Sequence, residues 1–185
     1  GDGLKIQEII KRGPFDVKNT GVTAGCIIES IDGEEIKAGM DYFPLLDGKV
    51  GKNVRLGIRN AKGKKMEVTV KAISQGKLNN LLYKRWVDRN RAFVDSISGG
   101  RIAYVHVKAM DSESFRTVYS ELLSDKNRNR DAVIVDERHN GGGWLHDDLC
   151  TLLSGKQYQE FVPHGKVVGR DPFNKWVKPS CVMIC

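Results

Sequence analysis

Apolar and polar positions change rhythm along the chain, and each change predicts a different kind of element. Leu4 and Ile6, then after a shift Ile9-Ile10, mark a first strand that Gly13-Pro14 ends. Cys26-Ile27-Ile28-Glu29-Ser30-Ile31 predicts a second strand, closed by the turn Asp32-Gly33. Asp41 is placed to cap a short helix carrying Tyr42, Leu45 and Leu46. Val54, Leu56 and Ile58 alternate with polar residues, as do Met66, Val68 and Val70, and Asn60-Ala61-Lys62-Gly63-Lys64 lies between them. That is the pattern of a β-hairpin.

From Leu78 the period becomes helical. Leu78, Leu82, Trp86, Phe93 and Ile97 recur at helical spacing, and Gly99-Gly100 stops the run. Strands and helices alternate after that. Ile102 to Val107 predicts a strand. Asp111 can cap a helix whose inner face is Phe115, Val118, Tyr119, Leu122 and Leu123. Ala132-Val133-Ile134-Val135 is a continuous apolar run, as a parallel strand buried on both faces requires. Leu145, Leu149, Leu152 and Leu153 mark a further helix. A polar connection containing Pro163 and Pro172 leads to a last strand, Cys181-Val182-Met183-Ile184. The expected fold class is α+β followed by α/β: a β-rich unit over 1–74, a connecting helix over 75–99 and a parallel-sheet region over 100–185.

Composition narrows this picture only slightly. A chain of 185 residues suits one ordinary domain or two small ones. No apolar run approaches the ~18 residues of a membrane-spanning helix, and Gly1-Asp2-Gly3-Leu4-Lys5 does not read as a signal segment. Lys and Arg number 30 against 23 Asp and Glu, for a net charge of +7. These basic residues are dispersed and accompany no basic-aromatic motif, so they read as solvated surface, with no nucleic-acid partner expected. Cys26, Cys150, Cys181 and Cys185 form no Cys-x-x-Cys pair, and neither a metal nor a cofactor is expected. Three of them lie among apolar residues and are predicted to behave as small hydrophobes. Cys181 and Cys185 would stand about 13 Å apart on one strand face, too far to bond.

The candidate chemistry lies in Asp136-Glu137-Arg138-His139-Asn140-Gly141-Gly142-Gly143, between a buried strand and a helix. Successive glycines leave the backbone uncovered and allow positive φ, and N–H groups near a helix start favour negative charge. Such a loop can bind an anion or stabilise an oxyanion. It equally fits a tight turn with no ligand, and it matches neither the P-loop nor the dinucleotide-binding pattern. His106 shares a strand face with Ile102 and Tyr104 and reads as a satisfied core or rim residue. His139 and His146 have no metal-pair spacing, and His164 reads as surface. No Gly-x-Ser-x-Gly elbow is present, and Ser180 precedes a strand, so donors appear without an attacking group.

Three segments together carry a resemblance: 83–91 (YKRWVDRNR), 99–107 (GGRIAYVHV) and 133–143 (VIVDERHNGGG). They are similar to the tricorn peptidases, which belong with the carboxy-terminal-processing serine peptidases. Ile28 to Ile36 looks like the middle of the PDZ domain of that family. The resemblance implies a partial PDZ-like domain over 1–74 and the N-terminal half of a peptidase catalytic domain over 100–185. It implies a catalytic His before the PDZ domain, a nucleophilic Ser just after the strand matching Cys181 to Cys185, and a later Glu, all outside these residues. Gly143, with Gly142 beside it, falls on the oxyanion hole. Glu160 and Phe161 fall at the substrate-binding position, where tricorn carries an acidic residue that selects basic side chains. Phe161 occupies that place here, with Glu160 adjacent. The implied partner is a peptide or unfolded-protein substrate, and a homo-oligomeric parent is compatible with the likeness. The compartment is open between cytoplasm and periplasm. Two other readings stand beside it: a PDZ-type peptide-binding module without peptidase activity, and an anion- or nucleotide-binding α/β protein.

Overall fold

The computed structural model describes residues 2–18 and 20–185. The chain divides into two compact units, Gly1–Trp86 and Val87–Cys185. The first is an antiparallel sheet in the order β1-β2-β4-β5, with β3 also paired to β2. Its strands are β1 (Leu4–Lys5), β2 (Ile27–Ile31), β3 (Glu34–Glu35), β4 (Asn53–Arg59) and β5 (Lys65–Lys71). Between β2 and β3, Asp32 and Gly33 both take positive φ, 50° and 95°, as a two-residue primed turn requires. Asp32 Oδ1 also accepts the Arg55 N–H at 2.8 Å, tying this turn to β4. The β4–β5 hairpin runs in unbroken register from Arg59↔Lys65 to Asn53↔Lys71. Its turn is organised by Asn60, whose Oδ1 accepts the N–H groups of Lys62 and Lys64, each at 3.0 Å. Alternation works as predicted: Val54, Leu56 and Ile58 are buried with Ile6, Cys26, Ile31, Ile36 and Val70.

Two local expectations differ. The Ile9-Ile10 segment is not a strand. Pairing reaches only as far as Ile6, which exchanges bonds with Cys26 and Gly25, where the paired segment turns with Gly25 at φ 91°; Ile9 instead packs against the core. Asp41 caps no α-helix. Its Oδ1 accepts the Phe43 N–H at 3.1 Å, and a single 3-10 turn follows over Phe43–Leu46. Pro44 removes one donor from that turn and Gly48, at φ 64°, ends it.

Helix α1 (Gln75–Ile97) ends as its glycines predict. Gly100 N–H bonds to Asp95 O and Gly99 N–H to Ser96 O, with φ of 76° and 59°. This is a Schellman-type stop. Its buried residues are Leu81, Val87 and Val94, whereas Phe93 and Ile97 are 64 % and 69 % exposed. Leu78, Leu82 and Trp86 of the predicted stripe are half-buried, and the stripe departs from the covered face in the last turns, where Val94 is buried instead of Phe93 and Ile97.

The second unit holds a parallel sheet in the order β10-β7-β6. These are β6 (Ile102–His106), β7 (Ala132–Asp136) and β10 (Ser180–Met183). Helix α2 (Ser112–Leu122) starts as expected, with Asp111 Oδ1 accepting the Ser114 N–H at 2.8 Å. The short α3 (Asp125–Arg128) and α4 (His146–Leu153) complete the helices. A hairpin of β8 (Gln159–Phe161) and β9 (Gly169–Asp171), invisible to the sequence pattern, interrupts the connection to β10. The core gathers Val105, Val107, Val118, Leu122, Val133, Val135, Leu149, Leu152 and Trp176. Three cysteines are expected to behave as small hydrophobes, but Cys26 alone is buried; Cys150, Cys181 and Cys185 are exposed, and all four are free thiols.

Leu122 has no exposed surface. Leu122→Ala is expected to destabilise the second unit by about 2–5 kcal/mol, through lost burial and the cavity left behind. Urea denaturation followed by circular dichroism measures this.

Candidate active-site loop

β7 ends on Asp136, a carboxylate with no exposed surface. Three groups meet it. Tyr104 of β6 donates its hydroxyl to Oδ2 at 2.6 Å. Arg138 donates Nη2 to Oδ2 at 2.6 Å and Nε to Oδ1 at 2.9 Å. The Arg138 backbone N–H reaches Oδ1 at 3.0 Å. Asn90 of α1 in turn donates Nδ2 to the Tyr104 hydroxyl at 3.2 Å. Burial pushes the Asp136 pKa upward, but the bonds from Arg138 and Tyr104 outweigh it and hold the carboxyl at about 2. The same contact raises Arg138, against a smaller opposing effect of burial. Burial, followed by the neighbouring carboxylate, raises Tyr104 well above the ordinary phenol.

From this anchor the chain crosses the carboxyl ends of all three strands. His106, buried at the end of β6, donates its Nε2 hydrogen to Arg138 O at 2.9 Å. Glu137 N–H bonds to Met183 O at 2.8 Å, and His139 N–H meets Cys185 Sγ at 3.3 Å. His139 has φ 65°. Asn140 donates Nδ2 to Val107 O at 2.9 Å and accepts the Gly142 N–H on Oδ1 at 2.8 Å. Gly143 forms a lone parallel bridge with Met110. With φ 143°, a Cβ there would stand 2.6 Å from Met110 Cβ and 2.9 Å from Met110 O, so only glycine fits.

Gly142 and Gly143 thus share one loop at the carboxyl edge of the parallel sheet. They do not open the helix directly: Trp144 and Leu145 intervene, and Leu145 caps α4 without a side-chain bond. Glu160 and Phe161 lie in β8. Glu160 Oε1 accepts Arg170 Nε from across the hairpin at 2.9 Å and Gln157 Nε2 at 3.0 Å, and Phe161 is 44 % exposed. His146 stands by Asp147 at 3.5 Å, and His164 is exposed in a 3-10 turn over Pro163–Gly165. Among the described residues no cluster of three or more His, Cys, Asp or Glu side chains is arranged to hold a metal. Among the described residues no helix is long and apolar enough to cross a membrane.

Comparison with known proteins follows this division. Residues 7–75 match the tricorn protease PDZ domain, and residues 101–185 match peptidase family S41. The chain carries a tricorn-type PDZ domain and an S41 peptidase region. It is 29 % identical over 133 residues to the tricorn protease of Thermoplasma acidophilum, covering 72 % of this chain and 12 % of that protein. It is 31 % identical over 169 residues to a tricorn protease homolog of Saccharolobus solfataricus, covering 91 % of this chain and 15 % of that protein. A crystal structure of the tricorn protease superimposes on the whole chain with a TM-score of 0.76 at 24 % identity, using 18 % of that structure, and shows the fold. The chain therefore spans a small part of the tricorn proteins it matches.

Within the S41 region, sequence reasoning found the glycines but missed Tyr104, Asp136, Arg138 and Asn140 as the groups that shape the loop. The available signal was local: an acid ending an otherwise apolar strand, with Arg two residues on and Asn four residues on.

Asp136 is depressed from an ordinary 3.8 to about 2, so the unfolded chain takes up its proton first as pH falls. The stabilisation, about 2 kcal/mol, is complete above pH ~4 and is lost as pH drops through about 2. Tyr104→Phe, which removes a bond to a charged group, is expected to cost about 1.5–3 kcal/mol and to move the Asp136 titration upward. Denaturation across pH 2–6 and carboxyl NMR titration report both. Gly143→Ala is expected to cost about 1–3 kcal/mol. Gly141→Ala, with open space around its Cβ position, is expected to stay within about 0.5 kcal/mol by the same denaturation measurement.

Proposed function

We propose that this chain supplies the oxyanion-binding and peptide-contacting part of a serine-type S41 peptidase. The domains we assign are a partial PDZ-like domain over 1–74, a connecting helix over 75–99 and the first half of the catalytic domain over 100–185. The observation that carries the reading is the glycine loop, fixed over the carboxyl ends of three parallel strands, the edge where open α/β sheets bind ligands. Gly142 N–H is already engaged by Asn140 Oδ1. Gly143 is therefore the main donor in this proposal, and Gly142 shapes the turn that presents it. Glu160 and Phe161 are proposed to meet the substrate. Glu160 is partnered by Arg170, so the exposed Phe161 ring is the more available contact.

The nucleophile, the base and its acidic partner are assigned to residues outside 1–185. Ser180 begins β10, whereas the glycine loop lies beyond the opposite end of that parallel strand. Four residues of strand separate them by about 10 Å or more. Ser180 is excluded as the attacking group on this ground.

The chain alone is expected to hydrolyse no peptide. In a longer protein containing these residues, Gly143→Pro removes the N–H and also reshapes a loop in which only glycine fits, so kcat is expected to fall by at least the ~10²–10³-fold typical of one oxyanion donor, with circular dichroism checking that the rest of the fold is intact. A kcat within a few fold of the parent would overturn the oxyanion assignment. Turnover by the isolated chain that is lost on changing one of its own serines would overturn the placement of the nucleophile. Peptide binding without turnover in any longer protein would identify a binding module instead.

A further inference from the structure

Trp144 follows the glycine loop directly and is 91 % exposed, unlike Trp176, which is buried. Its backbone is nevertheless pinned on both sides. Gly143 is bridged to Met110, while Leu145 is 6 % exposed and accepts the Leu149 N–H at 3.1 Å as α4 begins. The backbone on each side of Trp144 is therefore fixed, and the indole stands in solvent. The aromatic partner recorded for it is the His146 ring, tilted by 45° at a centroid distance of 6.4 Å. A second exposed apolar side chain, Ile184 at 76 %, follows β10 at the same carboxyl edge of the sheet.

We propose that Trp144 is a specificity-determining residue: its indole face receives an apolar or aromatic side chain of a peptide laid along the glycine loop. This deepens the oxyanion reading of that loop and rests on it. A carbonyl oxygen directed at Gly143 N–H places the flanking peptide side chains beside the next residue, Trp144. A flat and largely uncovered indole gains most from contact with an apolar group, and aromatic anchors of this kind dominate peptide and protein recognition. The acidic residues nearby, Asp147 and Asp148, occupy the first turn of α4, where they are accounted for by the helix dipole.

The test uses the 185-residue chain and blocked pentapeptides identical except for a central Phe, Leu, Lys or Asp. Binding is read from tryptophan emission and, independently, from the amide NMR shifts of Gly142 and Gly143. The Phe and Leu peptides are expected to shift both signals and to bind at least about fivefold more tightly than the Asp peptide. Trp144→Phe is expected to bind the Phe peptide within about twofold of the parent, and Trp144→Ala about five- to tenfold more weakly, with unchanged thermal stability because the side chain is exposed. Undiminished Phe-peptide binding by Trp144→Ala, with the glycine amides still shifting, overturns the role of Trp144 and leaves the loop reading intact. A Lys peptide that binds most tightly, and needs Trp144, overturns the apolar class. If no peptide moves either signal, both readings fall together.

Discussion

A carboxylate sealed from water at the end of a central strand must be compensated, because an unpaired buried charge costs several kcal/mol. Asp136 is compensated from two directions. Tyr104 reaches it from the neighbouring strand and Arg138 from two residues further along its own chain. The second contact decides the course of the loop. The chain has to double back at once for the guanidinium to lie against the carboxylate, and this brings the Arg138 carbonyl onto His106. Asn140 then fastens the next turn to Val107 with one side-chain atom and to Gly142 with another. The glycines are thus the last step in a sequence of constraints that begins with a buried charge.

That order explains why glycine is required at one position and merely tolerated at another. At Gly143 the backbone has been carried against Met110, and both the φ of 143° and the 2.6 Å approach exclude a Cβ. At Gly141 nothing lies within 4 Å of the Cβ position. Three identical letters in the sequence stand for different physical demands.

The parts of the fold legible in the sequence are those governed by local rules. Alternation gave Val54, Leu56 and Ile58 as an inward face, Asn60 and Gly63 gave the hairpin turn, and Asp111 gave a helix cap, because each depends on residues within a few positions. The Gly99-Gly100 stop belongs to the same class. The rest depended on partners distant in sequence. Tyr104 and Asp136 are 32 residues apart, and no spacing rule links a phenol to a carboxylate across adjacent parallel strands. The β8–β9 hairpin has exposed side chains along β8 and a cross-strand Glu160–Arg170 pair, so it carries no alternating signal. Cys150, Cys181 and Cys185 looked apolar by company but are exposed, because a residue's neighbours in sequence do not fix which face it takes. In α1 the same error took a smaller form: a stripe including Phe93 and Ile97 was read, while Val87 and Val94 are the residues covered.

Arg138 is the cation built into the loop, yet its charge is spent on Asp136 through bonds of 2.6–3.1 Å. In the proposed oxyanion role, stabilisation over Gly143 is therefore not credited to a free guanidinium and falls to oriented backbone dipoles, which need no reorganisation when charge develops. The carboxylate that anchors the loop also keeps its charge over the range in which peptide chemistry is ordinarily run. Asp136 stays ionised down to about 2. Titration of Asp136 therefore contributes nothing to any pH profile recorded above about pH 4 on a protein containing this loop.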